Sequence, residues 1–105
     1  MQIRQPGQKI KKLCNALGSH YSIKAIDFEN VICRDLGNGF KIVISDVDNN
    51  FKDYCVTITV WNTTKDTIAD CFYNVYPIEK ISGVVEQCVK KYSNLVQDVN
   101  GNIVV

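Results

Sequence analysis

The sequence predicts an α+β protein: a two-layer sandwich in which a four-stranded antiparallel meander carries an N-terminal and a C-terminal helix on one face. Three observations predict it. Apolar residues recur at helical spacing near both ends of the chain, they alternate with polar residues through its middle, and polar turns separate the alternating runs. Each helix then has one apolar stripe and needs a sheet to bury it against. With 105 residues, 46% of them apolar and 22% charged, the chain suits one domain. That composition excludes disorder, collagen-like repeats and low-complexity linkers.

The first helix spans Gln8 to Gly18. Ile10, Leu13, Cys14 and Leu17 form its buried stripe, Lys9, Lys11 and Lys12 lie off that stripe, and Gly18 supplies the stop. From Ile23 to about Cys33 the period falls to two, which predicts one strand with Ile26, Phe28 and Ile32 on one face and Asp27, Glu29, Val31 and Cys33 on the other. The turn Asp35-Leu36-Gly37-Asn38-Gly39 leads into a second strand, where Phe40, Ile42 and Ile44 alternate with Lys41, Val43 and Ser45. A polar turn from Asp46 to Asp53 precedes the third strand. Tyr54, Val56, Ile58 and Val60 interleave there with Cys55, Thr57, Thr59 and Trp61.

The fourth strand runs from Ile68 to Tyr76. If Trp61 pairs with Ile68, then Val60, Ile58, Val56 and Tyr54 meet Ala69, Cys71, Tyr73 and Val75 on the helix-covered face. Asp70, Phe72 and Asn74 then fall on the outer, wetter face. Pro77 opens the second helix, in which Ile78, Ile81, Val85, Cys88, Tyr92 and Leu95 form a stripe. Glu79 near its start and Lys90 and Lys91 near its end suit the helix dipole. Asn100-Gly101 between short apolar stretches is a two-residue hairpin signal and predicts a small terminal hairpin or one added strand.

Specific chemistry is sparse. Five cysteines at gaps of 19, 22, 16 and 17 residues make no Cys-x-x-Cys pair, so neither a zinc site nor a disulfide framework is expected. Asp46-Val47-Asp48-Asn49-Asn50 resembles the start of a calcium loop. Phe51 and Thr57, however, occupy the positions that require glycine and a bidentate glutamate, which favours a polar turn. There is no glycine-rich phosphate loop, Gly-x-Ser-x-Gly elbow or His-Glu-x-x-His motif. Asp27 and Glu29 share a strand face, which solvation explains more simply than catalysis. No cofactor is expected and no enzymatic activity is favoured. The remaining enzymatic alternative is a thiol nucleophile, Cys33 or Cys55, activated by the single histidine, His20. The N-terminal residues lack the apolar stretch of a signal peptide and no window reaches the ~20 apolar residues of a membrane span, so a cytoplasmic protein without membrane contact is expected.

Charge is unevenly placed. Residues 1–26 hold five basic side chains and no acidic one, whereas residues 27–79 hold four basic and nine acidic, so the overall +1 is a cancellation. Arg4, Lys9, Lys11, Lys12 and Lys24 define a nucleic-acid-binding alternative through the first helix. The leading expectation lies instead on the outer sheet face, which would collect Val31, Cys33, Val43, Cys55, Thr57, Trp61, Ile68, Phe72 and Tyr76. That is too apolar for a face left to water. Ile103, Val104 and Val105 could fold back over one edge of it. Otherwise the face takes a second copy of the chain, as a homodimer, or a heterologous protein partner anchored on Trp61, Phe72, Tyr76, Val43, Ile68 and Thr57. The corresponding function is a small non-catalytic protein-binding module, a regulator or inhibitor of a larger complex of the kind carried by phages and mobile elements.

Overall fold

The computed structural model describes residues 5–48 and 53–104, and the element order is helix, five strands, helix, small hairpin. Helix α1 (Gln8–Leu17) ends where the Gly18 N–H donates to the Cys14 carbonyl at 3.2 Å. Five antiparallel strands follow in sequential order: β1 (Ser22–Ile26), β2 (Glu29–Asp35), β3 (Phe40–Ser45), β4 (Val56–Asn62) and β5 (Thr67–Val75). Helix α2 (Ile78–Ser93) buries Ile81, Val85, Cys88 and Tyr92, the stripe its spacing predicts. Strands β6 (Val96–Gln97) and β7 (Ile103–Val104) close the chain as a separate hairpin. No helix among the described residues is long and apolar enough to cross a membrane.

Five strands replace the expected four because the stretch from Ile23 to Cys33 is folded back on itself. Asp27 and Phe28 take φ of 50° and 67°, Ile26 pairs with Glu29, and two strands result where one was expected. Two central residues with positive φ are what a tight hairpin of type I′ uses. The fold-back also reverses a face: Ile26 sits on the outer side with Val31, Cys33 and Trp61, while Ile23 takes the inner place opposite Ile32.

Both helices cover the same sheet face. α1 rests on β1 and β2, α2 on β3 and β4. Between them and the sheet lies one core, with Ile10, Leu13, Ile32, Phe40, Ile42, Ile44, Ile58, Val60 and Ile81 almost wholly buried. Alternation along β3 and β4 holds without a break, so Lys41, Val43, Thr57, Thr59 and Trp61 face outward.

Strand β5 departs from the expected register. Trp61 does pair with Ile68, but Val60 pairs with Asp70, Ile58 with Phe72 and Val56 with Val75. Ala69 is the extra residue of one bulge. The second falls at Tyr73-Asn74, where Asn74 has φ of 53°. A one-residue slip exchanges the two faces of a strand, and Phe72 therefore turns inward onto the core while Tyr73 is exposed. Asp70 also turns toward the helix layer, where its carboxylate accepts from the Tyr92 hydroxyl at 3.3 Å and lies 3.6 Å from the Lys91 ammonium. An inward charge and two bulges blunt an edge strand against pairing with another chain.

The C-terminal hairpin docks on the end of the sheet rather than over its outer face. The buried Asn62 amide donates to the Gly101 carbonyl at 2.8 Å, and the Gln97 amide donates to the Gly39 carbonyl at 3.0 Å. Gly39 favours glycine because its φ is 92°, and a Cβ there would also displace the Gln97 amide that docks against it. Nearby, the Asn38 amide donates to the carbonyls of Tyr92 (2.7 Å) and Leu95 (2.9 Å), satisfying the open end of α2. The hairpin loop has three residues between Asp98 and Asn102, with Gly101 at φ 83°, rather than two. Ile103 and Val104 stay half exposed, and Val105 lies outside the described residues.

Candidate interaction face

The outer face of the sheet carries its own apolar cluster. Val31, Cys33 and Val43, from the adjoining strands β2 and β3, are buried, and Ile26 and Trp61 pack against them from either side. No helix or strand among the described residues lies over this cluster. Thr59 continues the buried floor at 8% exposure. The result is a groove of about 500 Å³ across the sheet, with Ile26 and Trp61 as walls and Val31, Val43 and Thr59 as floor. It forms because small and β-branched residues occupy the outward positions of the central strands while larger side chains stand at the flanks. A volume of this order is typical of binding clefts.

The groove has a charged rim. Asp27, Glu29 and Asp66 line it against a single lysine, Lys41. Glu29 is held in place, since its carboxylate accepts the Asp46 backbone N–H at 2.6 Å, and the Asp46 carboxylate accepts the Thr57 hydroxyl at 2.7 Å. Lys24 projects from β1 on the same side, beside Val31. Burial pushes the Cys33 thiol up, while Lys41 and Lys24 pull it part of the way back, so it stays protonated at neutral pH.

One residue here escaped the sequence reading. Phe28 stands at the tip of the β1–β2 turn, 68% exposed, at the acidic end of the groove formed by Asp27 and Glu29. Its φ of 67° is costly for a bulky L-residue, about 1–2 kcal/mol. An aromatic ring held in water on a strained turn is a feature that marks function more often than stability. The sequence offered one signal, an Asp-Phe step at the centre of an alternating run that is long for one strand.

The expected site residues separate. Trp61 and Val43 belong to the groove. Thr57 is on the same face but tied to Asp46, and Ile68, 54% exposed, extends the patch beside Trp61 on β5. Phe72 does not belong to it, because the bulge at Ala69 delivers its ring to the core. Tyr76 is 61% exposed but follows the far end of β5, roughly 20 Å from Trp61 by strand rise. Cys55 also sits at that end, its Sγ 4.0 Å from the Asn74 side-chain oxygen.

The basic set divides as well. Lys11 and Lys12 are exposed on α1, while Lys9 lies over the Tyr54 ring, 5.6 Å from its centroid. Lys24 is on the opposite, outer side of the sheet, and Arg4 lies outside the described residues. The structure therefore does not gather Lys24 with the helix lysines into one phosphate-binding surface. His20 is exposed in the turn after α1 and makes no hydrogen bond to a thiol. Asn49 and Asn50 of the calcium-like stretch are outside the described residues, and no group of three or more metal-binding side chains converges among those described.

Comparison of the chain with protein-family models, with curated proteins and with solved structures finds no match.

Proposed function

We propose that this protein is a non-catalytic protein-binding module, a regulator or inhibitor that captures a heterologous polypeptide in the outer-face groove. The observation that carries this reading is Trp61 standing over an apolar floor, Val31 and Val43, that no described element covers. Tryptophan beside a pocket for an apolar side chain is the usual anchor of an interface. The rim supports a choice of partner. Three carboxylates outweigh Lys41 on the rim and Lys24 beside it, which suits a segment with an aromatic or aliphatic anchor flanked by lysine or arginine. Such exposed charges set register and association rate more than affinity.

Trp61 is the single tryptophan of the chain, so its emission reports on this face alone. A peptide library displayed against the full chain should enrich apolar anchors flanked by basic residues, and those peptides should shift or quench Trp61 emission. Trp61→Ala should keep the far-UV circular dichroism and lose capture, and Asp27→Asn with Asp66→Asn should weaken it. An acidic consensus, capture indifferent to Trp61, or a dimer by light scattering whose interface is this face would each overturn the proposal.

A further inference from the structure

The helix-covered side of the sheet holds a second concavity. Because α1 rests on β1 and β2 while α2 rests on β3 and β4, a cleft of about 440 Å³ opens between the two helices. Its walls are apolar, Leu17 from α1 and Val85 and Val89 from α2, and at its base stands Arg34 of β2. Arg34 occupies an inward position of the strand, opposite Ile42, where its neighbour two residues earlier is the fully buried Ile32.

A partly buried guanidinium ordinarily has a carboxylate partner, because desolvating an unpaired charge is costly. Arg34 has none among the described residues. Its guanidinium lies 5.4 Å from the centroid of the Tyr21 ring, and one of its N–H groups makes a long hydrogen bond, 3.4 Å, to the Tyr21 hydroxyl. The Tyr21 contacts engage one N–H of the fork and leave most of its five donors unused. Lys90 adds a second positive charge to the lining and Glu86 one negative charge. The net charge of the lining is thus +1, which suits a monoanion and disfavours a dianion such as a phosphate monoester.

We infer that this cleft binds a carboxylate borne on an apolar group, with the carboxylate paired to the Arg34 fork and the apolar part between Leu17, Val85 and Val89. Two sources offer that chemistry: a free aliphatic acid, or the C-terminal carboxylate of a peptide ending in an apolar residue. The site is distinct from the outer-face groove, which lies across the sheet, and its test is independent of the protein-binding proposal.

The experiment titrates the full chain with octanoate and with N-acetyl-Ala-Leu, each against its neutral amide, and follows backbone amide shifts by heteronuclear NMR. The expected result is saturable movement of the Leu17, Arg34, Val85 and Val89 amides with at least one of the two acids and little with the amides. Whichever acid binds identifies the source. Arg34→Gln should weaken binding by about tenfold or more, the range of a charge-assisted pair, and Glu86→Gln should strengthen it. The acid-against-amide comparison on the unaltered chain decides the matter even if Arg34→Gln fails to fold. Equal responses to acid and amide, no saturable response to either acid, or movement confined to the outer face would overturn the inference.

Discussion

Phe72 and Trp61 are both half-buried aromatic residues on neighbouring strands, and the bulge at Ala69 sends them to opposite sides of the sheet. Alanine at each position should therefore act differently. Phe72 packs on the main core opposite Ile58, so its removal costs both the transfer of the ring and a cavity the helices cannot fully close. A fully buried Phe→Ala change costs 3–5 kcal/mol, and for a half-buried ring about 2–3 kcal/mol is expected. Trp61 faces an open groove. Its removal leaves no enclosed void, so the transfer contribution alone remains, about 1–1.5 kcal/mol. In urea, with a slope of about 2 kcal/mol per molar, Phe72→Ala should lower the midpoint by about 1 M and Trp61→Ala by roughly half of that. Peptide capture should show the reverse order, lost in Trp61→Ala and kept by folded Phe72→Ala. Equal midpoint shifts, or capture lost through Phe72 as readily as through Trp61, would refute the bulged register and with it the composition of the face.

Two further outcomes test how the end of the sheet is built. Asn62→Ala removes the donor to the buried Gly101 carbonyl and the acceptor of the Lys65 N–H at 3.1 Å; a loss of about 2–3 kcal/mol is expected, with faster hydrogen exchange at the Asp98 and Gly101 amides, read by NMR. The Asp98 carboxylate accepts the Asn100 and Asn102 backbone N–H groups at 2.9 and 3.0 Å, which hold its carboxyl below the usual range. Its contribution is therefore complete above the unfolded-state carboxyl value, about 3.9, and is lost as pH falls through the lower folded value. The Asn100 and Asn102 amide shifts should titrate below the ordinary aspartate range, and a normal midpoint would remove Asp98 as the organiser of that turn.

Much of the candidate site was legible in the chain, and its limits have physical causes. Val43, Thr57, Thr59 and Trp61 could be placed outward because β3 and β4 are central strands whose inward residues are uniformly apolar, leaving one register that buries them. Phe28 and Ile26 were misplaced because Asp-Phe is not a turn dipeptide by composition, and the one local signal of a tight hairpin there was the length of the alternating run. Phe72 was misplaced because β5 has an apolar residue available for either face at nearly every step. Arg34 fell between the expected strand and the turn at Asp35 without a role, since its significance depends on a gap between two helices that lie far apart in sequence.

By itself, the sequence determined the order of helix, meander, helix and terminal hairpin but not the number of strands, together with the shared helix layer, the inward faces of the central strands and an apolar surplus on the far side of the sheet. Those follow from periodicity, which is local. Tertiary structure decided where β5 slips, how the hairpin docks, and which aromatic rings meet water. Each of these is a competition between alternative burials of similar local cost, settled by which one fills the core beneath α2 and satisfies Asp70, Asn62 and the end of the helix at once.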